Sequence, residues 1–248
     1  LSTFPDYGKL SGRTAGMADD AISRIDDSDK KRNRGDFAIW KFSRAGDPFW
    51  PAPFGDGRPG WHIEDTAITE KYLGPQYDIH GGGQDLIFPH HEAEIAQQES
   101  ASGKKPFVKY WMHIAFVVSP ALQRADASGS ESRSLSDGTG KKQKMSKSLG
   151  NFAITHELLK KYPKEVLRFY LLSGYYRSPL DFNEKILQQS EAGIQRISEF
   201  VYKLNLTTGN GGDPAGSDWA EEATEKFRTA MNDDFNTPQA LAAIFELI

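Results

Sequence analysis

The order of apolar patterns along this chain is the feature that most restricts its fold. Up to residue 118, short β-branched and aromatic runs such as "VKYWMHIAFVV" (108–118) alternate with segments of helical spacing. After residue 152, apolar positions recur at three- and four-residue intervals almost to the end, as in "NEKILQQSEAGIQRISEF". Strands with helices, followed by helices alone, predict an α/β layer followed by an all-α helical domain.

Start and stop signals divide the first part of the chain into elements. The pattern predicts a polar peripheral segment (1–36), a strand (37–42), an irregular Pro/Gly loop (48–61) and a helix capped by Gly74 (62–74). It then predicts a strand entering a glycine turn (77–83), a helix that ends at Gly103 (89–103) and a buried strand (108–118).

Composition excludes several classes of protein. The net charge of −4 and the isoelectric point near 5.9 argue against a uniformly basic nucleic-acid coat. The sequence has no apolar run approaching the roughly 20 residues that span a bilayer. It contains no Cys, which excludes a disulfide framework, and no signal peptide is visible. We therefore expect a cytoplasmic protein. It opens on Leu1 rather than Met, and we expect a piece of a longer polypeptide.

The stretch "FPHHEAE" (88–94) places two imidazoles beside two carboxylates. His90 and Glu94 are four residues apart, so on a helix they share a face and can reach one cation. His91 points about a quarter-turn away from that face, where it would hold a metal ligand in place or contact the substrate. The alternative is a polar helix start, in which Glu92 and Glu94 only favour the positive N-terminal end.

The glycine triplet in "DIHGGGQD" (78–85) is a second candidate site. Gly81, Gly82 and Gly83 let a nucleotide or substrate approach the backbone closely, and His80 and Asp85 flank them. The spacing is neither that of a dinucleotide fingerprint nor that of a P-loop. The alternative is a tight turn between a strand and a helix.

The most specific stretch is "KKQKMSKSLGN" (141–151). Four lysines, among them Lys144 and Lys147, fall within seven residues together with small Ser and Gly residues. Ammonium groups on such a loop suit transient binding of a polyphosphate. The alternative is a solvated basic loop.

Six segments in this order resemble the cysteinyl-tRNA synthetases, which are class I aminoacyl-tRNA synthetases. They are "GRPGWHIE", "DIHGGGQDLIFPHHEAEIAQ", "YWMH", "KMSKSLGNF", "SGYYRSPLDF" and "MNDDFNTPQAL". The resemblance extends from about residue 34 to the end, and 119–143 interrupts it as an insertion. It implies the C-terminal half of a class I Rossmann-like catalytic domain followed by an all-α domain. The family's first signature and its first zinc-binding cysteine would lie upstream of this sequence.

The resemblance implies a zinc ion that binds the thiolate of the substrate cysteine. His90 and Glu94 match two of the family's zinc ligands. Asp65, which follows "WHIE", stands where the family has its second cysteine ligand. A carboxylate is a harder ligand than a thiolate, so we expect weaker zinc binding at Asp65.

The remaining roles also follow from the resemblance. Trp61, His62 and Asp85 match residues around the amino acid, with Asp85 placed to bind its ammonium group. His80 and Gly81–Gly83 match positions around ATP, which binds with Mg²⁺. Lys144 and Lys147 match the catalytic lysines, and Lys147 also contacts ATP. The implied substrates are L-cysteine, ATP and tRNA(Cys). The sequence does not set the oligomeric state, and a monomer is the expectation.

The domain organisation follows from the same resemblance. We expect a remnant of a connective segment (1–36), followed by a Rossmann-like catalytic domain (37–155) that contains the flexible insertion 119–143 and the loop 144–148. A helical region that contacts the tRNA stem (156–206), a linker (207–217) and the start of a helical domain on the tRNA anticodon side (218–248) come next. In the last of these, Asp233 and Asp234 are expected to cap and pack, and Asn236 to begin a helix.

Two other functions stay open at this point. A related cysteine ligase would join the adenylate to a sugar amine, without needing the tRNA-supporting helices. A catalytically silent module that binds tRNA or protein would need neither the first signature nor the metal.

Overall fold

The computed structural model describes residues 1, 3–13, 31–33, 35–119, 143–145, 153–207 and 218–248. The chain divides into two compact units, 1–113 and 114–248. The predicted insertion 119–143 lies outside the described residues except for its two end residues, which belong to strands. The predicted linker 207–217 lies outside them except for Thr207. Among the described residues, no helix is long and apolar enough to cross a membrane.

The first unit mixes strands and helices, as predicted. Its elements are β1 (Trp40–Phe42), β2 (Gly57–Pro59), α1 (Trp61–Leu73), β3 (Tyr77–Gly83), a 3-10 turn (Gln84–Leu86), a π-helical turn (Ile87–His91), α2 (Glu92–Ser102) and β4 (Val108–Ile114). Strands β1 and β2 pair antiparallel. The helices end where predicted, because Gly74 and Gly103 adopt φ angles of 85° and 68° that favour glycine.

Strands β3 and β4 form a separate two-stranded sheet. The N–H of Tyr77 donates to the carbonyl of Phe107 at 3.3 Å, and the carbonyl of Met112 lies nearest to Gly81. Both strands therefore run in the same direction. This parallel pair places β3 and β4 side by side, with His80 at the middle of β3 and His113 near the carboxyl end of β4.

Three local predictions for the first unit were wrong. The glycine triplet does not form a turn, because β3 continues through Gly83. The segment 108–118 is two strands interrupted at residues 115 and 116, and much of it is exposed or half-buried rather than buried. The Pro/Gly loop is not wholly irregular, because Gly57–Pro59 pairs with β1. Periodicity could not reveal these features, because each depends on a partner distant in sequence.

The first residues of the chain are not peripheral, which corrects that expectation for 3–13. Phe4 and Tyr7 pack in one core with Ile95 and Phe107, and their exposed fractions are only 8% and 9%. Burial of aromatic rings is the main favourable contribution here, since each removes a large apolar area from water.

Glu92 fastens this segment to helix α2. Its carboxylate is fully buried and accepts the backbone N–H groups of Gly8 at 3.0 Å, Leu10 at 2.7 Å and Ser11 at 2.6 Å. A buried carboxylate with three N–H donors is well satisfied, and the donor of Gly8 is itself buried. Glu92 is therefore a structural anchor and not only a charge at a helix start.

We expect Glu92→Ala to lower the free energy of unfolding by about 3 kcal/mol or more, because three backbone N–H groups lose their acceptor and each costs roughly 1–3 kcal/mol. Urea denaturation followed by circular dichroism measures this. The matched control is Glu221→Ala at an exposed helical glutamate, which should change stability by less than about 0.5 kcal/mol. Equal effects of both substitutions would contradict the anchoring role.

The second unit is mostly helical, and the helical predictions for it are confirmed. Its elements are β5 (Val117–Ser119), β6 (Gln143–Lys144), α3 (Thr155–Leu159), α4 (Lys164–Leu172), β7 (Leu180–Asp181), α5 (Glu184–Thr207), α6 (Asp218–Asn232) and α7 (Thr237–Leu247). Strand β5 pairs parallel with β7 and antiparallel with β6. Helices α4 and α5 bury Leu167, Tyr170 and Leu187 between them. The predicted class, α/β with an all-α part following, is confirmed.

Asp234 joins two of the segments that carry the family resemblance. Its carboxylate accepts the hydroxyls of Tyr175 at 2.6 Å and Tyr176 at 2.7 Å, and it pairs with Arg177. These donors hold the pKa of Asp234 well below its usual range, led by the Arg177 hydrogen bond. The side chain of Asn236 accepts the N–H three residues on and begins α7. The expected packing role of Asp234 and helix start at Asn236 are confirmed.

Candidate metal and substrate site

The candidate site lies in the first unit, where five elements contribute side chains. The first turns of α1 provide Trp61, His62 and Asp65. The π-helical turn and α2 provide the consecutive His90 and His91, and Glu94 one turn further on. Strands β3 and β4 provide His80 and His113. Packing of α1 against α2 is polar, since Gln97 donates to the carbonyl of His62 at 3.3 Å.

Asp65, His90 and Glu94 converge as the sequence predicted. His90 Nε2 lies 2.9 Å from Asp65 Oδ2 and 3.2 Å from Glu94 Oε1. One ligand atom from each residue fits within a common span of 4.8 Å. Three potential electron-pair donors meet here, and one proton on His90 cannot satisfy both carboxylates. This arrangement suits a divalent cation.

Glu94 gives the test of that fit. Its side chain is 1% exposed, and neither buried carboxylate oxygen has a hydrogen-bond partner in the described part of the chain. Burial, followed by the charge of Asp65, raises the pKa of Glu94 to about 8. A buried carboxylate without a donor is costly, and a bound cation would remove that cost. The residues present therefore fit a divalent metal ion.

The surrounding histidines are held in the neutral form. Burial lowers the pKa of His62 to about 4 and that of His91 to about 3. Burial also lowers the pKa of His80 and His90, although Asp65 acts in the opposite direction on both. Neutral imidazole is the form that binds metals, because protonation removes the electron pair.

Trp61 and His62 both contact the central His90. The Trp61 ring stacks on the imidazole of His90 with centroids 4.0 Å apart. The Nδ1 atoms of His62 and His90 are 2.6 Å apart, so one of them carries a hydrogen. If His90 is the donor, its Nε2 keeps a free electron pair that faces Asp65 and Glu94. The sequence analysis named all of these residues, and the structure brings them together.

A second group lies beside the first. The sequence singled out its His80 and His91 but not Tyr77, Trp111 or His113. His80 Nδ1 lies 2.5 Å from the hydroxyl of Tyr77, and its ring stacks on Trp111 with centroids 4.7 Å apart. His91 Nδ1 lies 2.8 Å from His113 Nε2. The motif "YWMH" indicated part of this group, because residues 111 and 113 are two positions apart in β4 and therefore lie on the same face of the strand.

The other predicted residues lie as follows. Asp85 is exposed in the 3-10 turn. An added Cβ on Gly82 would meet the buried ring of His91 at 2.7 Å, so this neighbour requires glycine there. A Cβ on Gly83 would meet only the terminal Oδ1 of the exposed Asp85, at 2.5 Å, which can move aside. Lys144 lies in β6, and its backbone pairs with Val118 of β5. Lys147 lies outside the described residues.

Comparison with family models identifies two regions. The model of tRNA synthetases class I (C) catalytic domain matches residues 1–126 and 139–192. The model of the DALR domain matches residues 226–248. Together they cover both the strand-containing part and the last helices.

Curated relatives match the whole chain. The Cysteine–tRNA ligase of Carboxydothermus hydrogenoformans is 46% identical over 100% of this chain and 49% of its own length. That of Geobacter metallireducens is 48% identical over 100% of this chain and 48% of its own length. The chain therefore spans about half the length of these relatives.

A solved structure shares the fold. The ternary complex of Agrobacterium radiobacter K84 agnB2 LeuRS with tRNA and LeuAMS matches with a TM-score of 0.51 and 14% identity. The match covers 84% of this chain and 28% of that one. At this identity the likeness concerns the fold alone. The family model matches most of the residues and the relatives match all of them, so this chain belongs to the class I (C) tRNA synthetase catalytic-domain family.

Proposed function

We propose that this chain carries part of the active site of an enzyme that activates L-cysteine with ATP and transfers it to tRNA(Cys). The observation that carries the proposal is the group of Asp65, His90 and Glu94 beneath Trp61. It occurs in a chain 46% and 48% identical to two relatives named Cysteine–tRNA ligase. Recognition of a thiol needs such a group, because soft sulfur binds a metal more strongly than a hydroxyl does.

In this proposal Asp65, His90 and Glu94 hold a zinc ion, which supplies an acceptor selective for the substrate thiolate. The protein's own residues prepare that position. His62 fixes the ring of His90 through the Nδ1 contact, and Trp61 covers the ring from the exposed side. A flat indole at this position suits a pocket for a small amino acid.

The ATP side of the proposal rests on the resemblance. The carboxylate of cysteine attacks the α-phosphate of ATP, bound with Mg²⁺, and pyrophosphate leaves. Lys144 and Lys147 stabilise the charge that develops on the leaving group, and His80 with Gly81–Gly83 lies along the nucleotide. Asp85 binds the ammonium group of the amino acid.

The tRNA side concerns the helical regions. We propose that 156–206 contacts the stem of the tRNA and that 218–248 begins a domain on its anticodon side. The catalytic part includes 37–155, which contains the insertion 119–143, and the segment 3–13 that packs into the same core. The gap in the family model at residues 127–138 lies within that insertion. A cytoplasmic location is part of the same proposal.

Cysteine-dependent exchange of pyrophosphate into ATP, followed by charging of tRNA(Cys), tests this function on the intact gene product. We expect both activities, and serine in place of cysteine serves as the negative control. Exchange without charging would instead favour the ligase that acts on a sugar amine. Absence of both pyrophosphate exchange and tRNA charging would favour the catalytically silent module that binds tRNA or protein.

A further inference from the structure

We propose that the first unit contains a second divalent-cation position, held by His80, His91 and Glu94. It adjoins the position formed by Asp65, His90 and Glu94 and shares Glu94 with it. This inference goes beyond the proposed function, which uses one ion. Its test counts ions and does not depend on activity.

The orientation of Glu94 is the first argument. Its Oε1 lies 3.2 Å from His90 Nε2, whereas its Oε2 lies 3.9 Å from His80 Nε2. The two oxygens thus face two different imidazoles, and within the described residues neither has a hydrogen-bond partner. A single cation bound through Oε1 alone would leave Oε2 buried and unsatisfied. A carboxylate that bridges two cations satisfies both oxygens, as in proteins that hold metal ions roughly 3.5–4 Å apart.

The ligand atoms of the second group also lie close together. One ligand atom each from His80, His91 and Glu94 lies within 4.8 Å of the others, the same span that contains the first group. His91 and Glu94 are each only 1% exposed. Imidazole and carboxylate together suit Zn²⁺, Co²⁺ or Mn²⁺.

Both histidines are oriented by partners outside the metal group. The hydroxyl of Tyr77 lies 2.5 Å from His80 Nδ1, which leaves Nε2 directed to Glu94. His113 Nε2 lies 2.8 Å from His91 Nδ1 and fixes that ring. Metal-binding histidines in proteins are commonly held by a hydrogen bond at the other ring nitrogen.

Gly82 provides the space that His91 occupies. A Cβ at this position would meet the His91 ring at 2.7 Å and 3.1 Å, which is closer than side chains tolerate. Its φ angle lies outside the left-handed region, so alanine strains this contact and, less severely, the one with Leu86 Cδ1 at 3.3 Å. A Cβ on the neighbouring Gly81 would meet the carbonyl of Met112 at 3.7 Å, an ordinary contact. Gly81→Ala is therefore a matched control for Gly82→Ala.

Charge predicts unequal occupancy of the two positions. Two carboxylates and neutral imidazoles carry less negative charge than two divalent ions carry positive charge. Mutual repulsion should make the second ion bind more weakly than the first, unless an anionic ligand such as a thiolate or carboxylate joins it. The second ion should therefore be removed by dialysis and appear only in excess metal.

The test is a Co²⁺ titration of the purified protein. Absorption spectra and bound metal at equilibrium give the number of ions, and electron paramagnetic resonance detects coupling between them. We expect two ions per chain with different affinities and a coupled signal. His80→Ala and Gly82→Ala should each leave one ion and no coupling, whereas Gly81→Ala should keep two. Asp65→Ala should weaken the first ion while the second group stays complete.

Other outcomes separate this proposal from the proposed function. One ion in the unsubstituted protein at saturating Co²⁺ would overturn the second position. The second position would also be overturned if His80→Ala and Gly82→Ala both still bound two ions with unchanged affinity. If one ion is bound and Asp65→Ala weakens it, the site of the proposed function stands alone. Absence of any bound ion in protein shown by circular dichroism to be folded would reject both positions.

Discussion

Replacing His90 with alanine is expected to abolish retention of zinc and, with it, the selection of cysteine over serine. His90 Nε2 is the only atom of the first group within 3.2 Å of both carboxylates. Removing even an outer partner of a metal ligand typically costs ~10–100-fold in affinity, so loss of the central ligand should exceed ~100-fold. Zinc content after extensive dialysis, paired with rates of cysteine and serine activation, measures both effects.

Two comparisons make this result interpretable. Asp65→Ala should reduce zinc retention only partly, because this carboxylate is about one-third exposed and is a harder ligand than the cysteine of the family. His156→Ala, at an exposed histidine of α3, should leave zinc content unchanged. Full selectivity for cysteine in rigorously metal-free enzyme would contradict the zinc mechanism. Trp61 and the shape of its pocket would then have to account for discrimination.

The second large effect is expected at Lys147. Lys147→Ala in the intact gene product should slow adenylate formation by ~10²–10³-fold, the typical cost of losing one preorganised charge contact in a transition state. The affinity for cysteine should change little, since this contact forms with the leaving pyrophosphate. Pyrophosphate exchange at saturating ATP and cysteine measures the rate, and its dependence on cysteine concentration reports KM.

Lys141→Ala is the matched control for Lys147→Ala, because it removes the same charge from the same basic stretch outside "KMSKS". A rate reduced equally in both variants would indicate general attraction of ATP by a basic loop. An unchanged rate of adenylate formation in Lys147→Ala would mean that this stretch is only a solvated basic loop without a contact to the leaving pyrophosphate.

Local signals in the sequence predicted much of the first unit. The four-residue spacing of His90 and Glu94 was enough to place both on one side of a helix, and the structure brings Asp65 to them. Gly74 and Gly103 gave the ends of two helices because positive φ angles are a local requirement. The shared helix face and the two helix ends are each determined within a few residues, whereas the approach of Asp65 depends on packing of α1 against α2.

Features that depend on distant partners could not be predicted in the same way. Glu92 is two residues from Glu94, yet it binds backbone groups more than 80 residues earlier in the chain. The position of Gly82 opposite His91 depends on how β3 meets the turn before α2. Such contacts arise from tertiary packing, to which helical and strand periodicity are insensitive.

The two indoles of the site have a consequence for how the protein can be observed. Trp61 lies 4.0 Å from the ring of His90, whereas Trp111 lies 4.7 Å from His80 and 5.0 Å from His91. Indole fluorescence is quenched by a neighbouring imidazole to an extent that depends on what the imidazole binds. Each group of ligands therefore has an intrinsic optical reporter beside it. The chain has five Trp. The metal-dependent part of the emission that is lost on replacing Trp61 or Trp111 with phenylalanine would therefore report the filling of the position beside that residue, without a label.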